Sequence, residues 1–291
     1  MNKLLVKSKD TPKGVYQEVT PEKAGWENLH FSAREIESGG EWSGQTGDCE
    51  YAFVLMGGEF SMRSSRGEWK TEKGRKDVFS GLPHAVYLPP ETEFSLKAES
   101  DLLDIACGKC AARDHFPARM ITPEDVHRMG IEIRGGDNAT RQINSILPPG
   151  SECQKLVCVE VYTPSGNWSS FPSHKHDLRS KDQEGNLIEA SLEETYFYKI
   201  DKPQGFAIQR VYTGDGELDE LNLAMNNDLV MVPKGYHPVA AGHGYNVYYL
   251  NFLAGSDQSL ANTDDPDHEW IYHSWKGLDP RVPLVTLDMN K

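Results

Sequence analysis

The apolar residues of this chain fall into short β-rich runs, each cut off by glycine, proline, asparagine or aspartate. Residues 51–56 stop at Gly57 and Gly58, and residues 85–88 stop at Pro89 and Pro90. Further runs follow at 156–162, 195–200, 206–212, 229–232 and 245–253. Runs this short, broken this often, cannot make long amphipathic helices. Many short strands with regularly spaced turns define an all-β sandwich or barrel. The clearest helix signal is Thr122-Pro123-Glu124-Asp125, with Thr122 as N-cap and Pro123 in the first turn.

With 291 residues the chain is long enough for two such sandwiches. The halves carry a loosely similar order of signals. Gly81-Leu82-Pro83-His84 and Tyr87-Leu88-Pro89-Pro90 echo Val232-Pro233-Lys234-Gly235-Tyr236-His237. Breakers cluster between 135 and 150, which predicts a first domain over 1–140 and a second over 141–291. One continuous larger sandwich is the alternative.

Acidic residues outnumber basic ones 44 to 30, for a formal net charge of −14. That balance disfavours nucleic acid, which wants a basic face. No apolar run approaches the roughly 18 residues of a membrane span. The first twelve residues are too polar for a signal peptide, so a cytoplasmic protein is expected. The five cysteines are odd in number and sparse. Cys107 and Cys110 form a C-x-x-C without a second such pair, and all five read as reduced thiols.

Six of the ten histidines lie from residue 174 onward, so the chemistry is expected in the second half. His174 and His176 are two apart, which on a strand puts both imidazoles on one face. Glu193 and Glu194 then open an aromatic run, and His237 follows a Pro-x-Gly turn. Three histidines and one glutamate make a mixed N/O set suited to Zn, Mn, Fe, Co or Ni, with positions left open for substrate. On the residues alone, either Glu193 or Glu194 could supply the carboxylate.

This order of residues resembles the cupin superfamily, with its two histidines, a following glutamate and a last histidine after Pro-x-Gly. Seventeen residues separate His176 from Glu194, far more than the usual few. The insert is polar and reads as a loop that bulges outward. The stretches Glu193-Glu194-x-Tyr196-x-Tyr198, Val232-Pro233-Lys234-Gly235-Tyr236-His237-Pro238 and Asp264-Asp265-Pro266-Asp267-His268-Glu269-Trp270 narrow the likeness. So do 205–213 and 244–251. Together they resemble the 5-deoxy-glucuronate isomerase family of two-cupin proteins, relatives of the 5-keto-4-deoxyuronate isomerases.

The resemblance implies two jelly-roll domains with few short helices, the first a degenerate cupin without metal. It also implies an aldose–ketose isomerisation of 5-deoxy-D-glucuronate in myo-inositol catabolism. A divalent ion on His174, His176, Glu194 and His237 would gather the substrate's oxygens, by an enediol or a hydride-shift route. The anionic sugar acid needs a cation. Arg210 is the first choice because it shares a face with Phe206, Ile208 and Tyr212, and an internal salt bridge is the other reading. Lys199, Lys234 and Gln209 are further contacts. Tyr212, Tyr248 and Glu194 are the candidate catalytic groups, with Tyr196, Tyr198 and Glu193 as wall residues. His243 reads as an exposed turn, and His268 as a loop residue that closes over the site or caps a turn. A homo-oligomer is expected. The related uronate isomerisation, an Fe(II) dioxygenase and a non-catalytic sugar-binding cupin are the competing readings.

Overall fold

The computed structural model describes residues 3–9 and 14–290. Part of the N-terminal stretch judged too polar for a signal peptide lies outside the described residues. The architecture is β throughout, as the punctuated runs require. Each half is a two-sheet sandwich. In the first, a six-stranded sheet has the order Arg119–Ile121, Ala85–Leu88, Cys49–Gly57, Leu102–Ala111, His30–Glu37, Gly14–Val19. It packs on a four-stranded sheet of Glu41–Gln45, Glu93–Ala98, Phe60–Ser64 and Gly67–Lys70.

The second half repeats the plan. A seven-stranded sheet runs Leu5–Val6, Leu229–Val232, Leu192–Ile200, Val247–Gly255, Val157–Thr163, Arg141–Leu147, Ile131–Arg134. Its partner sheet holds Trp168–Ser169, Val239–Ala241, Ala207–Tyr212 and Asp219–Ala224. Ile131–Arg134 therefore already belongs to the second half's sheet, ahead of residue 141. The helix expected at Thr122 forms over Pro123–Met129, where the Thr122 and Asp125 side chains cap each other's backbone amides.

The two large sheets lie against each other through their outer faces. Alternation decides which residues meet there. Phe31 packs on Phe197, with ring centroids 5.0 Å apart, and also approaches Phe252. Gly108 is obligatory at this contact, because a Cβ there would fall 2.3 Å from the Phe252 ring. Two buried carboxylates pin the sheets together. Glu50 accepts the backbone amides of Gln154, Lys155 and Leu156 at 2.7–2.8 Å, and the Tyr87 hydroxyl at 3.0 Å. Glu160 pairs with the fully buried Arg75 side chain at 3.1 Å.

The chain ends reinforce the same contact. Leu5–Val6 pairs with Leu229 and Val230 in the second half. At the other end, Asn290 closes two hydrogen bonds with the Leu82 backbone in the first half. All five cysteines are free thiols. Cys107 and Cys110 project to opposite faces of one strand, into different cores. No helix among the described residues is long and apolar enough to cross a membrane.

Candidate functional site

Three segments of the second half bring a histidine–glutamate–histidine cluster together. His176 is clamped to the start of the Leu192–Ile200 strand: the Leu192 amide donates to the His176 carbonyl at 2.8 Å. The residues between them leave as a loop with a small hairpin, Ser180–Lys181 against Leu187–Glu189. Buried Glu189 holds the neck of that loop. It accepts the amides of Asp177 and Leu178, each at 2.9 Å, and the Lys175 ammonium at 2.7 Å. The long insert thus returns to its starting point, and Glu194 arrives beside His176 as a short insert would have placed it.

His237 comes from the Pro-x-Gly turn. Gly235 has φ +88°, and a side chain there would meet the Tyr212 carbonyl at 2.5 Å, so only glycine makes this turn. The Gly235 amide donates to Asp177 at 2.8 Å, tying the turn to the His176 segment.

The ring nitrogens report what the cluster is built to hold. His176 Nδ1 lies 3.2 Å from the Leu192 carbonyl, and His237 Nδ1 lies 2.8 Å from the Gly235 carbonyl. A carbonyl oxygen only accepts, so each Nδ1 carries the proton and each Nε2 presents a lone pair. Both Nε2 atoms face Glu194 Oε2, at 2.9 and 3.3 Å. Three acceptors converge, and buried His237 Nε2 has no hydrogen-bond partner. A divalent cation between them satisfies all three, and their donor atoms lie within 4.8 Å of one another.

His174 stands next to this group, its ring 4.9 Å from that of His237. Its nitrogens are outside the 4.8 Å set of donor atoms. Burial, then the two neighbouring imidazoles, push its pKa well below the ordinary histidine value, so it is neutral and able to donate a lone pair. Glu193 points the other way and accepts the amides of Glu27, Asn28 and Leu29 at 2.6–2.8 Å.

A cavity of about 310 Å³ opens in front of Glu194. Arg141, Ser170, His174, Tyr196 and Tyr249 are among the residues of its wall. Arg141 is 8% exposed, and among the described residues its side chain makes no hydrogen bond or ion pair. Burial lowers its pKa. The hydroxyls of Ser169 and Tyr249 lie 2.5 Å apart, and Ser170 stands 3.4 Å from both Tyr196 and Tyr249. Burial raises both phenols, so they remain protonated donors.

Several expected site residues lie elsewhere. Arg210 is exposed and paired with Asp219 at 2.7 and 2.8 Å. Its strand turns Ala207, Gln209 and Val211 inward instead. Lys199 reaches the first half, bonding Asp104 at 2.5 Å and Tyr16 at 3.2 Å. Tyr248 faces the inter-sheet contact and donates to Glu160 at 3.2 Å. The Tyr212 hydroxyl is taken by Asp265, which also binds His268 at 3.0 Å. Gln209 is buried against Tyr198 at 2.7 Å and adjoins the His237 carbonyl at 3.5 Å, behind the cluster rather than in the cavity wall. Lys234 pairs with Glu217 at the surface. Arg141 and Tyr249 were missed by sequence reasoning. Arg141 shares a strand face with Ile143 and Ser145, which also line the cavity, but nothing local in the sequence marks that face as inner.

Two face-to-face β-sandwiches, the second holding a histidine–glutamate cluster inside its barrel, make this a bicupin. A variant of Bacillus subtilis oxalate decarboxylase has the same fold, with TM-score 0.62 and 12% identity over 90% of this chain and 79% of that one. The chain belongs to the KduI/IolB family, whose model matches residues 4–271. An IolB-like protein from Salmonella typhimurium LT2 superposes with TM-score 0.86, at 37% identity over 92% of this chain and 98% of that one. The 5-deoxy-glucuronate isomerase of Geobacillus thermodenitrificans NG80-2 is 41% identical over 88% of this chain and 90% of its own length. That of Bacillus subtilis 168 is 37% identical over 87% and 91%.

Proposed function

We propose that this chain is an aldose–ketose isomerase that interconverts 5-deoxy-D-glucuronate and 5-dehydro-2-deoxy-D-gluconate in myo-inositol catabolism. The names of its relatives and its family support the reaction. The observation that carries it to these residues is one cavity that reaches the metal-type cluster at Glu194 and also holds an unpaired buried arginine. A sugar acid needs both: a carboxylate receiver at one end, and a place for vicinal oxygens at the other.

His176, Glu194 and His237 would hold a divalent metal, with His174 as the fourth ligand. Such an ion supplies Lewis acidity to the carbonyl and neighbouring hydroxyl oxygens. The chain's own groups do the rest. Arg141 receives the carboxylate as a fork of donors and sets which carbons face Glu194. The Tyr196 and Tyr249 phenols, linked through Ser170, donate hydrogen bonds to the sugar's hydroxyls. They are the chain of groups placed to hold the hydroxyl proton while hydrogen moves between adjacent carbons. The apolar wall of Val159, Val161 and Leu253 limits water in the cavity.

The test is NMR of purified protein with 5-deoxy-D-glucuronate, wild type beside Tyr196→Phe. Conversion by the wild type and a fall in kcat for the variant support the reading. Absence of conversion by metal-loaded wild type refutes it. The family name also covers KduI, which keeps 4-deoxy-5-keto-uronate isomerisation as the second reading, and that substrate belongs in the same assay.

A further inference from the structure

The first half has a polar chamber of its own. Most of its sandwich interior is packed with Phe53, Leu55, Phe60, Met62, Leu96 and Ile105. At one end the packing stops and a cavity of about 250 Å³ opens. Its wall follows from strand alternation. On His30–Glu37, Phe31 and Ala33 turn toward the other half, so His30, Ser32 and Arg34 turn into the chamber. On Leu102–Ala111 the inward residues at this end are Cys107 and Lys109. Register places Lys109 opposite His30 on one side and Tyr51 on the other.

Cations outnumber carboxylates in this chamber. Arg34 lies over the Trp42 ring, 3.5 Å from its centroid, and its buried Nε has no hydrogen-bond partner. Among the described residues Arg34 makes no ion pair. Lys109 bonds the Tyr51 hydroxyl at 3.1 Å and likewise has no carboxylate partner among them. Glu18 is the one carboxylate in the wall, and Lys23 holds it at 2.6 Å. Burial, then the charge of Lys109, lower the His30 pKa, which keeps that ring neutral as a hydrogen-bonding group. Two cations thus share one small pocket with a single carboxylate, Glu18, which Lys23 also engages. Desolvating them is unfavourable, and a structure that retains such a pair in a cavity is complementary to an anion.

We propose that this chamber is a second ligand site, for a small carboxylate. Stacking on Trp42 fixes the guanidinium plane of Arg34 and leaves its donor edge free, the geometry that matches a carboxylate in two parallel hydrogen bonds. Lys109 supplies the second charge and Tyr51 a hydroxyl. Trp42 and Phe94, with ring centroids 5.6 Å apart, give the apolar wall for the ligand's carbon skeleton. The volume lies just below the roughly 300–1,000 Å³ of ordinary ligand pockets, which limits the ligand to a short dicarboxylate or a single sugar acid. The site is independent of the metal cluster, which lies in the other half.

Calorimetric titration of the full chain with malonate, D-glucuronate and inorganic phosphate tests this, in wild type, Arg34→Met, Lys109→Met and Arg141→Met. Binding of malonate or glucuronate should weaken about ten-fold or more in Arg34→Met and Lys109→Met. A malonate-binding component should persist in Arg141→Met, and Arg34→Met should keep isomerase turnover and the wild-type circular dichroism spectrum. If Arg34→Met is misfolded, Arg34→Lys replaces it, with weakened binding as the expected result and unchanged affinity as the contrary one. The proposal is overturned if wild type binds neither carboxylate, if only Arg141→Met abolishes binding, or if phosphate binds as tightly as the carboxylates.

Discussion

Replacing Arg141 by methionine should have opposite effects on activity and stability. Arg141 is 8% exposed, lies in the cavity in front of Glu194, and has no counter-ion among the described residues. Truncating one partner of a buried charge-assisted pair costs about 2–5 kcal/mol, mostly from the charge left unpaired on the other side. Under the proposed function that charge is the substrate carboxylate. At 1.4 kcal/mol per decade, kcat/KM should fall roughly 30- to 3,000-fold. In the free protein the sign reverses. Burial already disfavours the charged form of Arg141, as its lowered pKa records. A methionine of similar length should therefore raise folding stability by about 1 kcal/mol, read as a higher urea midpoint at unchanged m-value. Steady-state kinetics and urea titration on the same preparation give both numbers. An unchanged kcat/KM together with a lower midpoint would refute the reasoning and make Arg141 a structural residue.

Other perturbations separate site from scaffold. Tyr248→Phe should leave kcat and KM within about two-fold of wild type while costing roughly 1 kcal/mol of stability, because its hydroxyl serves Glu160 and not the cavity. Glu50→Ala strands three backbone amides and a phenol between the halves, and should cost about 3–5 kcal/mol in chemical denaturation. The Arg281 guanidinium on Asp279 holds that carboxyl well below the usual aspartate range. Its folded pKa is depressed, so the stabilisation is present above that range and is lost as pH falls through it. Asp279→Asn should accordingly flatten the acid limb of a stability–pH curve.

Strand existence and the metal-type triad were legible because both rest on local pattern. A β-run ended by Gly-Gly or Pro-Pro reads the same in any context, and His-x-His with Pro-x-Gly-x-His needs no partner to be seen. The residues that lie elsewhere than expected are those whose meaning depends on which face of a strand is buried. Period-two alternation gives two faces without saying which is inner, and a shift of one residue exchanges them. Alternation alone admits Tyr248 as readily as Tyr249, and it is Tyr249 that lines the cavity. Arg210 shares a face with Ile208, but the small and amide side chains of Ala207 and Gln209 occupy the crowded interior and leave Ile208 and Arg210 outside. Arg141 lay at the expected domain boundary, where an isolated arginine carries no local sign of burial. Its environment comes from long-range pairing with Val157–Thr163, which no window of sequence displays.

The measurement closest to the central claim is metal content and isomerase activity on one preparation, before and after chelation and after metal is restored. The account predicts about one divalent ion per chain, loss of 5-deoxy-D-glucuronate turnover on stripping, and recovery on readdition. It also predicts that His176→Ala and His237→Ala fail to retain the ion while keeping the wild-type fold. Full turnover by protein shown to be free of metal would contradict it.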